Sequence, residues 1–156
     1  MKTLTNEQFE MIVKGIQDQI NYEFDSGQAK VFGVMLNDNL DIQFEPIKSG
    51  GDVYELIGYS PEVFAAVKQY DLITIATCGW AAPIDENNDE NNDIAPSKHP
   101  AKRRVRLLAT ANTNYQFGSS ISFQDDPNEP VFDFGNAKGA LADAITELIN
   151  SATDYK

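Results

Sequence analysis

Two stretches of the chain gather side chains whose types could do chemistry. Cys78-Gly79-Trp80 puts a thiol beside a glycine at the end of an apolar run, where a nucleophile gains access. His99 is the only histidine and the one ready base for that thiol, with Asp71 or Asp85 as the acid that would orient it. Nothing in the spacing fixes these groups together, and a lone cysteine ending an apolar strand is commonly an inert core residue. The second stretch is Lys102-Arg103-Arg104-Val105-Arg106. On a strand, Arg104 and Arg106 project from one face, and paired guanidiniums suit a phosphate or a carboxylate. Trp80, His99, Arg103, Arg104 and Arg106 are therefore the candidate anion- or partner-binding residues. The competing reading pairs these arginines with the chain's own acids, those of 85–93 or others on the surface.

Other motifs carry less. Asp85, Asn87, Asp89, Asn91 and Asp93 have the alternate spacing of converging oxygen ligands. Read as a calcium loop from Asp85, position six is Glu90 where glycine is needed, and position twelve is Pro96 where a bidentate glutamate belongs. Asp133-Phe134-Gly135 spells a kinase tripeptide without the rest of the kinase signature. Gly135-Asn136-Ala137-Lys138-Gly139 opens a helix but lacks the P-loop ending. His-Glu-x-x-His, Gly-x-Ser-x-Gly and paired cysteines do not occur. No catalytic residue, metal site or cofactor is implied.

The elements that must position the candidates follow from periodicity. Thr5-Asn6-Glu7-Gln8 is a capping box, and Phe9, Ile12, Val13, Ile16 and Ile20 recur at helical spacing, predicting a helix over 6–24 closed by Ser26-Gly27. Runs at 31–36 and 40–46, joined by Asn37-Asp38-Asn39, read as a hairpin. Ser49-Gly50-Gly51 reads as a turn, and Val53–Ile57 as a short strand. Ser60-Pro61 opens a short helix over 61–69. Residues 71–78 are apolar or weakly polar on both faces, the pattern of a doubly covered central strand. The duplication Glu86-Asn87-Asn88-Asp89, Glu90-Asn91-Asn92-Asp93 marks 84–101 as a solvated acidic loop, expected to be mobile or disordered. Residues 103–111 and 115–124 alternate as a hairpin, the second strand apolar on one face only. Asp125–Pro130 reads as loop, 131–134 as a brief strand, and 137–150 as a closing amphipathic helix.

At 156 residues and 42% hydrophobic, the chain fits a single domain with a real core. The fold class is α+β: a largely antiparallel sheet of five or six strands packed with two or three helices. No apolar run approaches the ~20 residues a bilayer requires, and the N-terminus lacks a secretory signal pattern. One cysteine excludes an internal disulfide, so a reducing cytoplasm is the expected location. A net charge of −12 disfavours direct binding to nucleic acid or anionic membrane. Five of the twelve basic residues nevertheless crowd into 98–106.

The segments Gly79-Trp80-Ala81-Ala82-Pro83 and Pro96-Ser97-Lys98-His99-Pro100-Ala101-Lys102-Arg103-Arg104-Val105-Arg106-Leu107 resemble a group of small actinobacterial proteins of unknown function. Asp125-Asp126-Pro127 and Gly139-Ala140-Leu141-Ala142-Asp143-Ala144 extend the likeness over roughly 70–149. The resemblance implies a bacterial or bacteriophage origin and no particular activity. The element order separately resembles the roadblock/profilin-like arrangement, which would imply dimerisation.

Three functions fit these readings. The first is a non-enzymatic interaction module that self-associates or binds a protein partner through the Trp/His/Arg group. The second is an acidic nucleic-acid mimic of the kind phages use against host proteins, motivated by the net charge. The third is a thiol- or phosphate-handling enzyme built on Cys78, His99 and the arginines.

Overall fold

A computed structural model describes residues 3–20, 29–51, 53–58, 60–81, 98, 100–134 and 140–154. Helix α1 (Asn6–Gln19) is followed by strands β1 (Ala29–Leu36) and β2 (Ile42–Gly50), then helices α2 (Val53–Ile57) and α3 (Pro61–Gln69). Strands β3 (Leu72–Ala81), β4 (Arg103–Ala111), β5 (Phe117–Phe123) and β6 (Asp126–Phe134) come next, and helix α4 (Ala140–Asp154) closes the described chain. All six strands form one antiparallel sheet in the order β2-β1-β3-β4-β5-β6. The fold is α+β, with one strand more between α3 and α4 than the helix, hairpin, helix, three strands, helix order contains. Among the described residues no helix is long and apolar enough to cross a membrane.

The sheet carries a core on each face. Ile73 and Ile75 of β3 and Ala109 and Ala111 of β4 point toward α2, α3 and α4, where Val63, Val67, Ile145 and Ile149 meet them. Leu72 and Ala76, on the opposite parity of β3, and Leu108 of β4 point toward α1, against Phe9, Val13 and Ile16. β3 is thus the covered central strand its composition predicts. Thr5 caps α1 as expected, its hydroxyl accepting from the Gln8 N–H while the Gln8 side chain accepts from the Thr5 N–H. That helix ends at Gln19 with Ile20 as C-cap rather than at 24, and the Ser26-Gly27 stop lies outside the described residues.

Three expectations are corrected. Val53–Ile57 is helical, because Val53, Leu56 and Ile57 stand at i, i+3 and i+4, and five residues are too few for either period to declare itself. Ser49 and Gly50 belong to β2 rather than to a turn. The segment 125–130 is mostly strand: β6 begins at Asp126, and as an edge strand it accommodates Pro127 and Pro130. β5 alternates as expected, and its fully covered face is the small polar one, where Ser120 and Ser122 are buried while Phe117, Ile121 and Phe123 are half-buried. Small residues there let α1 approach: a Cβ on Gly118 would sit 2.9 Å from Val13 Cγ2. The hydroxyls are satisfied by Gln17, whose Nε2 donates to Ser122 Oγ at 2.9 Å and whose Oε1 accepts from Ser120 Oγ at 2.5 Å.

The first hairpin forms as expected, with one local difference. Asn37 Oδ1 accepts from the N–H groups of Asn39 and Asp41, yet the residue with positive φ (63°) is Leu40.

Candidate functional site

β3 and β4 run together for nine register pairs, Ile73↔Ala111 through Ala81↔Arg103. Burial along β3 is complete from Leu72 to Ala76, partial from Thr77 to Gly79, and gives way to exposure at Trp80. The ladder therefore overhangs the helix layers at one end. Both strands are interior to the sheet, so this is a strand end and not a lateral edge.

Parity then sorts the candidate residues. Trp80 lies opposite Arg104 and Cys78 opposite Arg106, all on the α1 side of the sheet. The Trp80 indole is 39% exposed, a level at which a large ring offers contact area to a partner. Lys102 Nζ stands 4.7 Å and Arg104 Cζ 5.1 Å from the indole ring. Both distances lie within cation–π range. The result is an aromatic platform flanked by two cations.

Arg106 sits one step deeper on the same face and is only 9% exposed. Its Nη2 donates to Ser122 Oγ at 3.5 Å, and through that hydroxyl it joins the Gln17 and Ser120 network beneath the last turn of α1. Burial lowers its pKa from the ordinary guanidinium value, opposed by the neighbouring Cys78 sulfur, and it remains a cation at neutral pH. Arg106 thus supports the sheet under α1, and a surface ligand reaches Arg104 before it reaches Arg106.

Arg103 has the opposite parity and turns to the other face. Its Nε donates to Asp125 Oδ2 at 2.9 Å, its Nη2 pairs with Asp125 Oδ1, and its Cζ stands 3.8 Å from the centre of the Phe123 ring. The Asp125 hydrogen bond raises the Arg103 pKa, and Arg103 in turn holds Asp125 below the usual carboxylate range. This arginine is matched by the chain's own acid, one the sequence reading assigned to a loop.

His99 lies outside the described residues, as do Asp85 and the acidic duplication. Asp71 Oδ2 accepts from the Leu36 N–H at 2.8 Å, at the far end of β3 from Cys78. Seven strand residues span roughly 23 Å, so Asp71 is not placed to orient a base for that thiol. Lys102, counted only within the basic block, is the site residue that sequence reasoning did not single out. Comparison with protein-family models, curated proteins and solved structures returned no match.

Proposed function

We propose that the protein is an interaction module that engages an acidic partner through Trp80, Lys102 and Arg104. The observation that carries this reading is the exposed indole flanked by two cations at one end of the two central strands. A ring holds the cations in place and contributes apolar contact. A guanidinium against a ring engages through its face, and its N–H donors lie in its plane, where carboxylate and phosphate oxygens bind. Trp and Arg are also the residue types in which binding energy concentrates.

Net charge gives the proposal a strict test. A molecule of −12 is repelled by a polyanion unless a local patch overcomes that field. Immobilised poly-glutamate at low ionic strength should retain the wild-type protein, and added salt should release it. The K102Q/R104Q variant should elute with no retention. Equal retention of variant and wild type would refute the assignment. A second copy of this acidic chain is itself a candidate partner, measured as concentration-dependent sedimentation that the same substitutions abolish.

A further inference from the structure

On the opposite face of the sheet, α2, α3 and α4 enclose an open cavity of about 680 Å3. Its floor is apolar, made by Ile57, Phe64, Ala144 and Leu148, and its rim carries Tyr54, half-exposed at 50%. Two carboxylates, Glu147 and Asp154, join the lining with Gly58 and Ser151, and none of the described lining residues is basic. The volume lies within the ~300–1,000 Å3 of small-molecule sites, and an apolar floor with few polar groups is their usual construction.

The spacing of the two acids is informative. Seven residues make nearly two helical turns, so both carboxylates lie on one side of α4, separated by about 10 Å along its axis at 1.5 Å per residue. Leu148 and Ala144 lie on that same apolar floor. Asp154 stands in the last turn of α4, which has no basic residue. A carboxylate there adds to the negative end of the helix dipole, an arrangement that a bound cation relieves. The exposed Tyr54 ring adds a second attraction for an ammonium group.

We propose that this cavity binds a linear aliphatic polyamine. Its terminal ammonium groups pair with Glu147 and Asp154, and its methylene chain lies over Leu148 and Phe64. The site is independent of the Trp80 platform, which faces the α1 side of the sheet.

The test is calorimetric titration of the full chain with spermidine, with putrescine and with magnesium. Spermidine should bind saturably at one site, and the shorter putrescine more weakly. The exposed-residue variant E147Q/D154N should weaken spermidine at least about tenfold, as expected when charge-assisted pairs are lost. Y54A should weaken it by a smaller factor. D143N removes an exposed acid of α4 outside the lining and should leave binding unchanged. Three results would overturn the proposal. One is absence of saturable binding. Another is equal displacement by magnesium with no effect of E147Q/D154N, which would mark a counterion atmosphere around a −12 protein. The third is a wild-type oligomer that E147Q/D154N converts to monomer, which would make a second copy the occupant.

Discussion

Among the residues of the basic segment, burial and parity give three arginines three different duties. Arg106 is a buried cation whose Nη2 donates to Ser122 Oγ in the α1–β5 layer. A buried ion is costly to oppose and cheap to replace by an apolar side chain of similar length. R106M should therefore stay within about 1.5 kcal/mol of wild type in urea unfolding, while R106E should lose roughly 3 kcal/mol or more by burying an unmatched anion. Equal losses would mean that the charge contributes nothing there. Arg103 and Asp125 form an exposed pair, so screening keeps its contribution small. Because Arg103 lowers the folded-state pKa of Asp125, that contribution is present above the unfolded-state pKa and fades as pH falls through the folded value. The small stability gap between wild type and D125N should close on acidification, and thermal unfolding across a pH series checks it. Parity was legible in the sequence: Arg104 and Arg106 share it and Arg103 does not. What alternation alone could not supply was register, which placed Trp80 opposite Arg104 and brought Lys102 to the same ring.

A helix cap and a two-faced apolar run were signals the sequence reading used correctly. The Thr5/Gln8 capping box started α1 where expected, and T5A should lower stability by about 1 kcal/mol in chemical denaturation. The two-faced run at 71–78 marked the central strand. Elements whose identity depends on distant partners were not legible. β6 carries two prolines that locally signal a loop, and only its place at the sheet edge makes it a strand. β5 alternates clearly, but which face is covered depends on α1 docking against its Gly and Ser side, information carried by Val13 and Gln17 over a hundred residues away. Close approach also shapes β1, where the Tyr70 ring lies against Gly33 so that a Cβ would meet it at 2.5 Å. G33A should cost on the order of 1–3 kcal/mol, because a ring pressed onto backbone must be displaced. Unchanged unfolding midpoints would show that the ring moves aside freely.

At the scale of the whole molecule, charge and edges set how the protein meets others. Both lateral edges are guarded: β2 carries Pro46 and Lys48, and β6 carries Pro127, Pro130 and the acids Asp126, Glu129 and Asp133. Prolines and charges of this kind oppose strand-to-strand addition. A net charge of −12 also strains the compact state by self-repulsion. Added salt should accordingly raise the melting temperature while it weakens any contact with an acidic partner, a divergence that pure hydrophobic docking would not produce.

Because Trp80 is the single tryptophan, its emission reports on the proposed platform with no other indole in the signal. The decisive measurement is a fluorescence titration with a short poly-glutamate peptide at low ionic strength, run on wild type and on R104Q. A saturable change in wild-type emission, weakened at least about fivefold in R104Q by loss of a charge-assisted contact, is the outcome expected. An emission unmoved by the peptide, or moved equally in both proteins, would contradict the account.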